Sequence, residues 1–182
     1  MRYTALLDAN VLVPYTLTDV LLRLAEAGLY RPLWSPSILA ETERTLVHLH
    51  PAIAAAALHD RVAAMDQFFP DATVTGWDEI VGSLTLPDPD DRHVLAAAIV
   101  GGADAIVTAN LRDFPEQTLA RFDIIATHPD DFLLDQFDLE PRLAEQVLLD
   151  IVEARRNPTV HRGDILDQLH RAGTPRFAAH AR

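Results

Sequence analysis

Tyr3-Thr4-Ala5-Leu6-Leu7-Asp8 is a short, almost continuous apolar run that stops at a lone acid. A run of this length fits a strand buried on both faces, as in parallel sheets. The chain then changes period. Asn10 to Gly28 predicts a helix, with Pro14 near its start and Gly28 as its C-cap. Leu33-Trp34 is a second strand candidate. Ser35-Pro36 reads as an N-cap followed by proline at the first helical position, opening a helix to about His50. An alanine-rich helix is expected from Pro51 to about Phe69, and a third strand at Ala72 to Thr75. Pro87 to Asp91 is a turn-like acidic loop, and the helix His93 to Val100 is stopped by Gly101-Gly102. Ala105-Ile106-Val107-Thr108 and Ile124-Ile125 are the remaining strand candidates. Strands alternating with helices imply an α/β fold, a parallel sheet between helical layers. From about Pro129 the strand signals cease. Pro141 to Arg155 predicts an amphipathic helix, and Asp164 to Arg171 another. The expected division is a sheet domain over 1–128 and a C-terminal helical extension over 129–182.

Composition narrows the chemistry. The chain has 182 residues, 49% of them hydrophobic, and a formal net charge of −12. It holds no cysteine, and all 15 basic residues are arginine. Without cysteine there is no disulfide framework, thiolate zinc site or thiol nucleophile. Without lysine there is no P-loop lysine and no Schiff-base chemistry. No apolar run approaches the roughly 20 residues of a membrane span, and the N-terminus lacks the longer apolar region of a signal peptide. A cytoplasmic protein with no membrane association is expected.

In open parallel sheets, ligands bind beyond the carboxyl ends of the strands. Asp8 sits at that end of the first strand, and Asn110 and Asp113 follow the strand Ala105–Thr108. Asp88, Asp90 and Asp91 precede a helix whose N-terminus faces the same edge. Crowded carboxylates are costly unless a cation or protons compensate them. A divalent metal with oxygen ligands, Mg²⁺ or Mn²⁺, is the simplest compensation. Taken singly, each acid fits a solvated loop or a helix cap equally well. Glu41 falls on or beside the apolar stripe Ile38, Thr42, Thr45, Leu46 and Leu49, where an acid needs a partner: an arginine, or a cation shared with the acidic site. The eight histidines show no metal-ligand spacing. His93 reads as a surface residue in a first helical turn. His161, His170 and His180 also read as surface residues, and Trp34 and Trp77 as core or rim.

These segments resemble the PIN-domain nucleases, and among them the VapC-like toxins of bacterial toxin–antitoxin pairs. The resemblance is carried by Leu6-Leu7-Asp8-Ala9-Asn10-Val11-Leu12, by Ile38-Leu39-Ala40-Glu41 and by Asp88-Pro89-Asp90-Asp91-Arg92-His93-Val94-Leu95-Ala96-Ala97-Ala98. It continues through Ala103-Asp104-Ala105-Ile106-Val107-Thr108-Ala109-Asn110-Leu111-Arg112-Asp113-Phe114. It implies a three-layer α/β/α PIN-like fold with a central parallel sheet, and Mg²⁺- or Mn²⁺-dependent ribonuclease activity. It also implies an RNA substrate, a cognate antitoxin and a possible homodimer. By position, Asp8, Glu41 and Asp91 match the first three acids of the family's catalytic quartet. The fourth is open between Asn110, where the family often has aspartate, and Asp113; Asp90 substitutes for Asp91 if the loop register differs. Asp8, Asp91 and Asp113 then read as metal ligands, with Asn10 and Thr108 bracing them. The alternative that Asn110 favours is a catalytically inactive PIN-like module that binds RNA or a partner. A haloacid-dehalogenase motif would need aspartate where Asn10 stands, and a receiver domain would need a lysine.

The charge is segregated along the chain. Residues 71–131 hold twelve acids against three arginines, whereas 155–182 hold six arginines against two aspartates. The −12 is therefore an average over an acidic site and a basic tail, and the tail suits RNA phosphate or an acidic antitoxin unless it is only a solvated surface.

Overall fold

The computed structural model describes residues 3–155 and 158–182. Four parallel strands, β1 (Thr4–Leu7), β2 (Arg31–Leu33), β3 (Ala105–Val107) and β4 (Ile125–Thr127), form one sheet in the order β2-β1-β3-β4. Leu6 sits opposite Leu33 on one side and Ile106 on the other. β1 and β3 are wholly buried, as their unbroken apolar runs require, while β4 is the exposed edge. The expected third strand is a single parallel bridge from Thr73 to Trp34. Asp66 holds this corner, accepting from Trp34 Nε1 (3.1 Å) and from the Thr73 hydroxyl.

The helices are α1 (Ala9–Leu12), α2 (Tyr15–Glu26), α3 (Pro36–Leu49), α4 (Ala55–Phe68), α5 (Asp78–Val81), α6 (Arg92–Gly101) and α7 (Glu116–Leu119). The extension adds α8 (Pro129–Leu139), α9 (Pro141–Ala154), α10 (Arg162–Arg171) and α11 (Pro175–His180). β1 connects to β2 in one direction across the sheet, and β2 connects back past β1 to β3. Right-handed crossovers therefore set α2 and α6 on opposite faces, which is the α/β/α layering.

Several boundaries differ from expectation for local reasons. The first helix is two helices, because Pro14 lacks an N–H to continue the ladder and itself takes an extended backbone (φ −68°, ψ 116°) between them. The fourth starts at Ala55, after a turn in which the Ile53 N–H donates to His50 C=O (2.9 Å). On α3, Ser35 Oγ accepts from the Ile38 N–H at 3.2 Å, and Ile38, Thr42 and Leu46 are buried. Leu49 does not complete the stripe and is 55% exposed. Leu46 packs with Leu58 and Val62 of α4, whereas the turn of α4 before Leu58 offers only the small side chains of Ala55, Ala56 and Ala57. α6 ends where a side chain cannot fit: a Cβ on Gly101 would stand 2.6 Å from Leu33 Cδ1 and 2.8 Å from Val74 Cγ2. Gly102 then takes the left-handed cap at φ +64°.

The extension packs against α2 and closes on itself. The buried Asp130 accepts from the N–H groups of Arg176 (3.1 Å) and Phe177 (2.8 Å), and Phe132 meets Tyr30 edge-to-face at 4.9 Å. The basic tail expected from the sequence is largely neutralised within the chain. Arg155 pairs with Asp19 (2.8 Å), Arg162 with Glu145, Arg176 with Asp131 and Arg182 with Asp167 (2.5 Å). Arg156 lies outside the described residues.

Candidate active site

β1 and β3 are adjacent at the point where the chain leaves β1 for one side of the sheet and β3 for the other. In open parallel sheets such a switch point, beyond the carboxyl ends of the strands, is where ligands bind. Asp8 stands at the end of β1 and is 5% exposed. It accepts from Ala9 N–H (2.7 Å), Asn10 Nδ2 (2.6 Å) and Thr108 Oγ1 (2.7 Å). Asn10 also donates to Thr108 Oγ1 (3.0 Å) and accepts from Ala109 N–H (3.0 Å), and Thr108 Oγ1 accepts from Asn110 N–H (3.1 Å). Residues from the two strand ends thus lock one carboxylate in place. Burial raises its pKa, while the Thr108 and Ala9 hydrogen bonds oppose the rise.

The acidic loop and the segment after β3 bring further carboxylates. Asp88, Asp91 and Asp113 each offer an oxygen within 4.8 Å of the others. Asp91 is pushed up to about 6, first by burial and then by the charges of Asp8, Asp88, Asp113 and Glu41. Asn110 Nδ2 donates to Asp113 Oδ2, so the two candidates for the fourth position lie against each other. Asp90 is exposed and outside the cluster; its N–H caps Asp88 Oδ1 (2.9 Å).

Glu41 and His93 lie side by side, and His93 corrects an expectation. Glu41 lies at the rim of the α3 stripe, 44% exposed, and its partner is His93 Nε2 at 3.6 Å rather than an arginine. His93 is no surface residue: its side chain is 17% exposed and its ring lies 5.9 Å from that of Trp77. Its Nδ1 is buried without a hydrogen-bond partner among the described residues. A first-turn histidine two residues after Asp91 was the available signal, but only the packing of α3 against this corner gives it a partner. Asp88 was legible as an acid of the loop, but its place in the cluster was not.

Five carboxylates, Asp8, Glu41, Asp88, Asp91 and Asp113, therefore gather at one edge of the sheet. Among the described residues the basic groups in ion-pair distance of these carboxylates are His93, at Glu41, and Arg112, which is 86% exposed and 3.7 Å from Asp113. An all-oxygen donor set with uncompensated negative charge suits a hard divalent cation. The residues present fit such an ion, whose charge would offset the crowding that, after burial, raises the Asp91 carboxyl.

Comparison with known proteins agrees with this geometry. A model described as "PIN domain" matches residues 4–112, and one described as "VapC50 C-terminal domain" matches residues 129–182. A Mycobacterium tuberculosis (strain ATCC 25618 / H37Rv) protein named "Putative ribonuclease VapC50" is 48% identical over 92 residues, covering 50% of this chain and 54% of the relative. The chain thus spans about half the length of the curated relative it matches. No solved structure matches the chain. The parallel sheet, the acids gathered at its carboxyl edge and the match over more than half of its length make this chain a member of the PIN-domain family.

Proposed function

We propose that the chain is a Mg²⁺- or Mn²⁺-dependent endoribonuclease, the toxin of a toxin–antitoxin pair, acting in the cytoplasm and restrained by a cognate antitoxin protein. The observation that carries this reading is the meeting of Asp88, Asp91 and Asp113 beside the buried Asp8 at the switch point of the sheet. The VapC-type relative supports RNA as the substrate and an antitoxin as the partner, and a homodimer follows the family pattern. Residues 1–128 are read as the nuclease domain and 129–182 as its extension.

Asp8, Asp91 and Asp113 would hold the ion, with Asp88 beside them. When bound, such an ion supplies charge neutralisation at the scissile phosphate and acidifies a bound water. Glu41, partly exposed and fixed by His93, stands at the rim where it can orient the attacking water and take its proton. Asn10 and Thr108 hold the Asp8 carboxylate in place at this edge of the sheet, and Asn110 does the same for Asp113. In-line hydrolysis would leave a 5′-phosphate and a 3′-hydroxyl. Asn110, the feature that favoured an inactive module, orients an acid here, so no observation favours that alternative.

The test is RNA cleavage with Mg²⁺ or Mn²⁺ by the wild type and by Asp8→Asn, beside calorimetric titration of each with the ions alone. The wild type should bind ions and cut, and Asp8→Asn should keep its fold and lose cleavage. Equal metal-dependent cleavage by both would overturn the assignment.

A further inference from the structure

The arginines of the extension are not all alike. Arg155, Arg162, Arg176 and Arg182 are paired with carboxylates of the chain itself, whereas Arg171 is exposed on α10 with no carboxylate in ion-pair distance among the described residues. Arg171 lines a cavity of about 310 Å³ with Gln168 and Ala172, and the facing wall is Pro14, Tyr15 and Thr16 at the start of α2. The nuclease domain and the extension thus build this cavity together, one helical turn and a proline bend from Asp8.

Tyr15 is 60% exposed, yet it is held from both domains. The Arg61 guanidinium lies 5.2 Å from its ring centre and that of Arg155 lies 4.8 Å away. Arg155 is fixed by Thr16 (3.1 Å), Gln168 (3.2 Å) and Asp19 (2.8 Å), and Arg61 donates to the carbonyls of Leu12 (3.2 Å) and Val13 (3.3 Å). Arg61, like Arg171, has no carboxylate in ion-pair distance among the described residues, and Asp19 is shared between Arg23 and Arg155. The surroundings of Tyr15 are therefore positive in a chain of net charge −12. Gln168 uses its Oε1 on Thr16 and Arg155, which leaves its amide N–H groups as donors. A pre-positioned aromatic ring, an amide donor and guanidinium groups that outnumber the Asp19 carboxylate acting on them are what a single-stranded nucleic acid needs from a protein. The walls offer no apolar run beyond Pro14, Ala172 and the ring itself, so a protein segment is the poorer fit.

We propose that this cavity is a nucleotide subsite for the RNA strand, with one base against Tyr15 and the Gln168 amide, and its flanking phosphates on Arg171 and Arg61. The assignment rests on the nuclease reading and makes the extension part of the substrate surface.

The test is fluorescence anisotropy with a short mixed-sequence single-stranded RNA, in chelator so that nothing is cut, beside cleavage of the same RNA with Mg²⁺. Tyr15→Ala should weaken binding five- to a hundred-fold, the range for losing one base–aromatic contact. Tyr15→Trp should restore it, and both should keep the wild-type circular dichroism spectrum and ion titration. Arg171→Ala should lower the salt slope of log affinity by about 0.7, one phosphate's share on a single strand. RNA bound and cut by the wild type, with Tyr15→Ala and Arg171→Ala unchanged, overturns the subsite and leaves the nuclease standing. Variants that lose an acidic protein partner but keep RNA would reassign the patch and likewise overturn it. RNA neither bound nor cut by the wild type sinks both readings together.

Discussion

Replacing Asp91 by asparagine should stabilise the metal-free protein while crippling its site. The Asp91 carboxyl is raised from 3.8 to about 6, because burial and four neighbouring acids disfavour its charge. A lift of that size corresponds to roughly 3 kcal/mol against the ionised form. The side chain is only partly buried, so solvent screening reduces this to about 1 kcal/mol. Because the folded-state pKa lies above the unfolded one, the unfolded chain releases its proton first as pH rises. The penalty is absent below about pH 4, where both states hold the proton, and complete above about pH 6. Asparagine has nearly the same shape and carries no charge, and no side-chain hydrogen bond of Asp91 is lost among the described residues. Thermal unfolding in chelator at about pH 8 should therefore show Asp91→Asn melting about 2–4 °C above wild type. The difference should shrink to nothing as the pH falls to about 4. Adding Mg²⁺ should reverse the order, because an ion that binds only the folded wild-type site stabilises it by mass action. A variant that melts below wild type in chelator at the higher pH, or a gap that persists in acid, would refute the crowding argument.

Thr108→Val keeps the shape at the end of β3 but removes the hydroxyl that donates to Asp8 and accepts from Asn10 and Asn110. Loss of such an orienting group should cost about 10–100-fold in ion affinity or cleavage, read by calorimetry and RNA hydrolysis. Gly101→Ala would drive a methyl group into Leu33 and Val74; despite alanine's better helix propensity it should lose about 1–2 kcal/mol in urea unfolding.

How much could be read without coordinates follows from how local each signal is. The runs Thr4–Leu7 and Ala105–Val107 are buried on both faces, so their apolarity is continuous and their ends are marked by Asp8 and Thr108. Ser35-Pro36 is a capping signal contained in two residues, and it starts α3 where expected. Thr73 failed as a strand because pairing depends on what lies beside it, and it has one bridge to Trp34. The surplus of arginines in the tail was plain to count. Whether each guanidinium faces solvent or a carboxylate distant in the chain is a tertiary question, and for Arg155 and Arg162 the answer lies in Asp19 and Glu145.

The sequence by itself determined the layer architecture and named the acids, because hydrophobic period and the polar residue ending each buried strand are properties of adjacent positions. Only the tertiary structure decided which acids form one group. It joined Asp88 to Asp91 and Asp113, left Asp90 in solvent, paired Glu41 with His93 and set Asn110 to hold Asp113. Electrostatic energy depends on distance in space, and segments a hundred residues apart meet only once β1 and β3 lie side by side.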